Sequence, residues 1–115
     1  MRILEQPVTK DELIKIAAEM FGEMIKAVVD IRLGLVAIDA EMHSDLEALL
    51  LENGSAQSDL WGINFYPLLE GDDFLEFDSM INMRPSQGNM SRGVEDADIQ
   101  RMIVELVDKW IRRAG

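Results

Sequence analysis

Seven apolar residues recur at helical spacing near the end of the sequence, at positions i, i+3, i+4, i+7, i+8, i+11 and i+12. They are Ile99, Met102, Ile103, Leu106, Val107, Trp110 and Ile111. Arg112 and Arg113 follow, and cations are favoured at the C-terminal end of a helix dipole. The pattern predicts an amphipathic helix over residues 96–113. Such a helix must bury its apolar stripe, so the rest of the chain has to supply a packing surface.

Alternating apolar residues predict that this surface is a sheet. The first alternating stretch contains Leu33-Gly34 at its turn and predicts a hairpin near residues 24–39. A second hairpin is predicted near residues 60–84. It consists of the third and fourth strands of the sheet, on either side of a Glu70–Asp73 loop. Residues 2–4 predict an additional edge strand.

Two capping boxes mark further helix starts. Thr9 with Glu12 predicts a helix over residues 10–21, and Ser44 with Glu47 predicts one over residues 45–53. The order α-β-β-α-β-β-α favours an α+β fold, a two-layer sandwich with a mostly antiparallel four-stranded sheet and three helices. The 115 residues are expected to form a single domain, residues 1–115, whose strand order stays open.

The charge of the chain is concentrated in its middle. Between Arg32 and Arg84 there is no Lys or Arg but eleven acidic residues, and the remaining eleven acids are balanced by eleven Lys and Arg. An acidic field repels phosphate backbones, so nucleic acid is not an expected partner. With no cysteine, no signal-like start and no long apolar run, the sequence predicts a cytoplasmic protein without a membrane partner.

The only histidine lies among carboxylates. Asp39, Glu41 and His43, with Asp45 beyond them, project to one side if this stretch is extended. Imidazole with carboxylates is a ligand set for a divalent metal, so these residues form a candidate metal site. The competing interpretation is that Ser44 and Asp45 only begin a helix.

A polar face on the second hairpin is another candidate site. An exposed sheet face accounts for such residues without any function, whereas a mixture of Asn, Asp, Tyr and a single Arg is typical of a ligand pocket. The residues of this face are Asn64, Tyr66, Glu76, Asp78, Asn82 and Arg84.

The loop over residues 84–93 is longer than a strand-to-helix connection requires. Two arginines bracket small polar residues before a helix N-terminus, an arrangement that suits an anion. The candidate ligand-binding residues are Asn82, Arg84, Ser86, Gln87, Asn89 and Arg92. The alternative is structural: each arginine pairs with a neighbouring acid and holds the loop in place.

Several segments together resemble a known family. They are residues 60–64, 77–82, 84–89 and 91–96 and the early stretch 9–13. The chain is similar along nearly its whole length to a family of small prokaryotic proteins that form an uncharacterised domain of unknown function. The resemblance implies one intact domain and supplies no substrate, cofactor or catalytic residue.

Two functional interpretations remain open from the residues. The first is a non-catalytic module that binds a small anionic ligand or a protein partner through the 84–93 loop and the adjacent sheet face. The second is a small metal-dependent or hydrolase-like enzyme that uses the acidic middle segment. The cofactor and the oligomeric state stay unassigned.

Overall fold

A five-stranded sheet lies at the centre of the structure, a computed structural model that describes residues 1–20 and 22–113. In spatial order its strands are β1 (Arg2–Ile3), β4 (Leu35–Ile38), β3 (Ile25–Asp30), β5 (Leu60–Phe65) and β6 (Leu75–Glu76), and every neighbouring pair is antiparallel. The sheet therefore has one strand more than the four predicted, because the edge strand expected at residues 2–4 is present.

The predicted first hairpin is confirmed, and a buried carboxylate holds its turn. Asp30 Oδ1 accepts hydrogen bonds from the backbone N–H groups of Arg32 and Leu33, at 2.9 and 2.8 Å. Its second oxygen accepts one from the Ser55 hydroxyl at 2.6 Å. These bonds to a charged acceptor compensate for the burial of the Asp30 side chain.

Three helices pack on both faces of the sheet, so the prediction of two layers is wrong. They are α1 Lys10–Glu19, α2 His43–Glu52 and α3 Ala97–Trp110. Helices α1 and α3 cover the face that carries Ala27 and Val29. Helix α2 covers the opposite face, where Leu46 and Leu50 meet Val28 of β3. The central strand is apolar on both sides, which is the pattern of a strand buried between two layers.

A small parallel pair of strands joins the two ends of the chain. In it, β2 (Val8–Thr9) lies beside β7 (Ile111–Arg112), with Val8 opposite Ile111. The predicted last helix therefore ends at Trp110 instead of continuing to residue 113. Ile111 still belongs to the core, but it reaches the core from a strand.

The expected helix starts have different outcomes. Thr9 caps α1 as predicted, because its hydroxyl oxygen accepts a hydrogen bond from the Glu12 N–H at 3.1 Å. The cap predicted at Ser44 is wrong: α2 begins at His43 after Met42, without a side-chain cap. The predicted end of the first helix at Phe21 lies outside the described residues.

The predicted long fourth strand is also wrong, since β6 ends at Glu76. The chain then turns at residues Met80–Asn82, a single 3-10 turn in which the Ser79 hydroxyl accepts a hydrogen bond from the Ile81 N–H. This turn lies directly on β5. A Cβ atom added to Gly62 would lie 2.5 Å from Cβ of Ser79 and 3.1 Å from Cγ1 of Ile81.

A Gly62→Ala substitution is expected to lower the free energy of unfolding by roughly 2 kcal/mol, the usual cost of overpacking. Gly93→Ala is the matched control, because the nearest atoms to its added Cβ lie at an ordinary 3.5 and 3.6 Å. Urea unfolding of both variants measures the difference. Equal stability of the two would contradict the close approach of the turn to β5.

Candidate functional site

The side chain of Asn82 continues the hydrogen bonding of the sheet beyond the end of β6. On this edge of β5, Tyr66 N–H donates to the Phe74 carbonyl, and Asn64 lies opposite Glu76 in the ladder. At the next position along β5, Asn82 Oδ1 accepts from the Gly62 N–H at 2.8 Å and Nδ2 donates to the Gly62 carbonyl at 2.9 Å. The amide group thus replaces a strand residue, and Asn82 is completely buried.

Arg84 hydrogen-bonds to the same edge of β5, two residues before Gly62. Its Nη2 donates to the Leu60 carbonyl, and Nε donates to the Ile81 carbonyl at 3.0 Å. The guanidinium group lies 5.0 Å from the centre of the Trp61 ring and 3.8 Å from the Glu47 carboxylate. Burial lowers the pKa of Arg84, and Glu47 opposes this effect. The side chain is therefore engaged on several sides within the fold.

Asn89 holds the far side of the 84–93 loop. Its Nδ2 lies within hydrogen-bonding distance of three carbonyl oxygens, those of Asn82, Ser91 and Gly93. Its Oδ1 accepts from the Glu95 N–H at 2.9 Å. The backbones of Arg84 and Asn89 also exchange two hydrogen bonds, at 2.8 and 3.1 Å. Asn89 is buried, so its polar groups are used to fix the loop.

The other candidate residues of the loop are exposed. Ser86 lies at the surface in the turn Pro85–Gln87. Gln87 accepts from Arg84 and donates to the Ser58 carbonyl at 3.2 Å. Arg92 is half exposed, and its Nε donates to the Asp78 carboxylate at 2.7 Å. The six predicted residues therefore lie in one region, three of them as its buried support and three at its surface.

The metal candidates Asp39, Glu41 and His43 do not form a cluster. Asp39 has a left-handed backbone and pairs with the N-terminal ammonium group at 3.6 Å. His43 is buried, and its Nε2 lies 2.8 Å from the Ile63 carbonyl. A carbonyl oxygen only accepts, so Nε2 carries the hydrogen. Within residues 1–20 and 22–113, no three His, Asp or Glu side chains are close enough together to hold a metal ion.

His43 lies beside part of the polar face predicted on the second hairpin, since Asn64, Asp78 and the neighbouring Lys26 all act on its pKa. Lys26, Asn64 and Glu76 are successive neighbours across β3, β5 and β6. Asn64 Nδ2 donates to Glu76 Oε1 at 2.8 Å, and the Tyr66 hydroxyl donates to the same oxygen at 3.1 Å. Burial, together with the hydrogen bond to Glu76 and its charge, raises the pKa of Tyr66. Asn82 and Arg84 are absent from this face, because the chain turns away after β6.

Exposed methionines are a feature that sequence reasoning missed. Met80 and Met90 are each 63% exposed and Met83 is 46% exposed, all within the same region as the loop. Methionine commonly fills gaps in hydrophobic cores, so the residue type alone does not predict that these three side chains lie at the surface. The available signal was their position beside turn residues, outside any apolar stripe.

A cavity lies away from these residues. It has a volume of about 760 Å³ and is bordered by Lys10, Glu70, Asp108, Arg112 and Arg113. Its charges are largely balanced: Arg113 pairs with Asp108 at 2.7 Å, and Lys10 lies 3.9 Å from Glu70. Its volume alone gives no chemical reason to place a ligand there.

Comparison with known proteins gives a family without an assigned function. The model of the family described as "Protein of unknown function (DUF5674)" matches residues 2–110. No curated protein and no solved structure matches the chain. The resemblance to a family of unknown function is thus confirmed, while its prokaryotic origin stays a prediction.

Arg84→Ala and Arg92→Ala form a matched pair that tests the roles of the two arginines. Loss of Arg84 removes the bonds to two carbonyls and leaves Glu47 without its cation, so we expect the free energy of unfolding to fall by about 3 kcal/mol. Loss of Arg92 breaks an exposed ion pair and should cost less than about 1 kcal/mol. Urea unfolding at pH 7 provides both values.

The contrary outcome would favour anion binding by the arginines. In that outcome both variants have near-native stability. Phosphate raises the melting temperature of the wild type but does not raise that of either variant.

The single histidine permits a direct test of its environment. Burial lowers the pKa of His43 from 6.5; Lys26 acts in the same direction, and the Ile63 carbonyl, Asn64 and Asp78 oppose the shift. Between the lowered pKa and about 6.5 the unfolded chain binds more protons than the folded chain. The contribution of neutral His43 to the stability of the folded protein is therefore complete above about pH 6.5. It is lost as the pH falls through the lowered pKa of the folded state.

NMR titration of the imidazole should give a midpoint below 6.5 in the folded protein and near 6.5 in urea. In a His43→Gln variant, this part of the pH dependence of stability should disappear. A folded midpoint above 6.5 is incompatible with the buried position of the ring.

Proposed function

We propose that this chain, which belongs to the family of proteins of unknown function DUF5674, is a non-catalytic binding module that recognises a basic protein partner. The proposed binding segment is residues 79–93. The observation that carries the proposal is the exposure of Met80, Met83 and Met90 on this segment. Exposed methionines are typical of surfaces that bind other proteins, because the side chain is apolar, flexible and polarisable.

The backbone geometry supports a shared direction for the three methionines. Arg84 and Asn89 face each other and have buried side chains. Met83 and Met90 directly flank this bridge in sequence. Because side chains alternate along extended backbone, theirs point to the side opposite to the side chains of Arg84 and Asn89. Met80 precedes Met83 by three residues across a 3-10 turn, and this spacing aligns side chains.

Buried side chains hold the segment that carries the methionines by hydrogen bonds. Asn82, Arg84 and Asn89 bond to backbone carbonyls of β5 and of the segment itself. The partner therefore meets a segment whose backbone is already ordered, which reduces the entropic cost of association. Ser86, Gln87 and Arg92 remain at the surface, where they are available for polar contacts with the partner.

Charge complementarity favours a basic partner. The stretch between Arg32 and Arg84 contains eleven acids and no Lys or Arg, and the protein carries a formal net charge of −11. Such a field accelerates the encounter with cationic surfaces and disfavours anionic ones. A small anion is the weaker candidate for the same site, since Arg84 and Arg92 already contact Glu47 and Asp78.

The cytoplasmic location and the absence of a nucleic-acid partner stay predictions. Helices in the described part of the chain lack the length and apolar character needed to cross a bilayer.

Selection from a random peptide library tests the proposal. Peptides that bind the protein should combine Lys or Arg with large apolar residues, and their affinity should fall with rising salt. A Met83→Gln/Met90→Gln double variant should bind them at least tenfold more weakly, with unchanged stability. Fluorescence anisotropy of the labelled peptides measures the affinities.

Met42→Gln is the matched control, because Met42 is 58% exposed but lies outside the binding segment. Selected peptides without basic residues, or equal affinity of the double variant and the control, would refute the proposal.

A further inference from the structure

The edge of the sheet at β1 offers backbone hydrogen-bonding groups to a further strand. Within the described residues, β4 is the only strand beside β1. Leu4 N–H donates to the Val36 carbonyl at 2.8 Å, so Leu4 and, by alternation, Arg2 direct their backbone groups towards β4. The N–H and C=O groups of Ile3, which lies between them, therefore point away from the sheet. Such groups at a sheet edge are a template for pairing with another chain.

A concavity of about 470 Å³ lies at this edge and is lined by residues 2–8 and by Glu12 of α1. Its charged side chains are Arg2, Glu5 and Glu12, and all three are exposed. None of the three forms an ion pair with another of the residues that the structure describes. The edge thus presents a guanidinium group and two carboxylates that are available to an approaching chain.

The charge of the segments at this edge is balanced, unlike that of the whole protein. The stretch between Arg32 and Arg84 accounts for the entire net charge of −11, because the acids and bases outside it are equal in number. The first strand and the first helix both belong to this balanced part. A second copy of the protein therefore meets both signs of charge here, and only one sign along the acidic stretch.

We propose that β1 pairs with β1 of a second copy, antiparallel about a two-fold axis at Ile3. The two Ile3 residues then exchange their outward N–H and C=O groups, which joins the two sheets into one. In this register Arg2 of each copy lies opposite Leu4 of the other. Leu4 packs into the core on the side of the sheet that α1 covers, so each Arg2 is directed towards Glu5 and Glu12 across the interface.

Self-complementarity favours a second copy over an unrelated chain as the occupant of this edge. A two-fold interface uses the same surface of both subunits, so that surface has to carry both members of each contact. The segment around β1 does so, since it supplies the donor and the acceptor of the backbone pair and both signs of the ion pair. The contact is short, and we therefore expect a reversible dimer whose population depends on concentration.

Sedimentation equilibrium of the intact protein measures the association. The apparent mass should rise with concentration towards twice that of one chain. A protein that remains monomeric up to the concentrations used for NMR spectroscopy overturns the inference.

Ile3→Pro tests the backbone pairing, because proline lacks the outward N–H and is tolerated where that group faces away from the neighbouring strand. Ile3→Ala is the matched control, since it also loses contacts of the side chain but keeps the N–H. We expect the proline variant to associate more weakly than the alanine variant by about tenfold or more. Circular dichroism checks that both are folded, and equal association of two folded variants contradicts the pairing.

Charge variants test the register without a change in the backbone groups. Arg2→Glu alone and Glu5→Lys/Glu12→Lys alone should each weaken self-association by about tenfold, because like charges then meet across the axis. An equimolar mixture should recover a dimer, since each variant supplies the charge that the other lacks. A mixture that stays monomeric, or variants that associate like the wild type, would show that Arg2 does not meet these carboxylates and overturn the inference.

The dimer is independent of the proposed function. The binding segment follows β5 at the other end of the sheet, so the Met83→Gln/Met90→Gln variant should dimerise like the wild type. Loss of dimerisation in this variant would place the contact between copies at the methionines and refute pairing at β1. Failure of the peptide selection leaves the dimer inference unchanged.

Discussion

The two hydrogen bonds between the Asn82 amide and the backbone of Gly62 determine how the second half of the molecule is arranged. They let β6 end after two residues without leaving the rest of the β5 edge unpaired, and a buried backbone group without a partner is costly. The absence of a side chain at Gly62 is part of the same arrangement, since the turn that carries Asn82 occupies that space. Arg84 then reaches Leu60, and Asn89 closes the segment behind it.

The polar residues of this region have a structural role that also serves recognition. Asn82 and Asn89 direct their amides into the fold, so the segment does not depend on an apolar core of its own. Three of its apolar side chains, those of Met80, Met83 and Met90, lie at the surface. A surface of this kind combines a fixed backbone with adaptable side chains, and both properties assist binding to protein partners.

Periodicity predicted the elements that are buried by their own side chains. β3, β5 and α3 have regular apolar patterns, and the structure contains all three. The prediction of a long fourth strand was wrong because residues 77–83 alternate like a strand. In the structure the Asn82 side chain makes the hydrogen bonds to β5 that a strand would make, and no local sequence pattern reveals this. The third layer was not predicted: it depends on the packing of Val28 of β3 against Leu46 and Leu50 of α2, a contact between separate segments. The candidate site was found in part: the 84–93 loop was singled out, but the contacts of Arg84 with Glu47 and Trp61 join distant segments and required the fold.

The parallel pairing of β2 with β7 has a consequence for the order of folding. Val8 lies opposite Ile111, so this contact closes a loop that contains nearly the entire chain. Loop closure of that length carries a large entropic cost, and contacts of high sequence separation slow folding. The β3–β4 hairpin, by contrast, joins neighbours in sequence. We therefore expect the central hairpin to form early and the two chain ends to meet last, after β5 has completed the surface on which α3 docks.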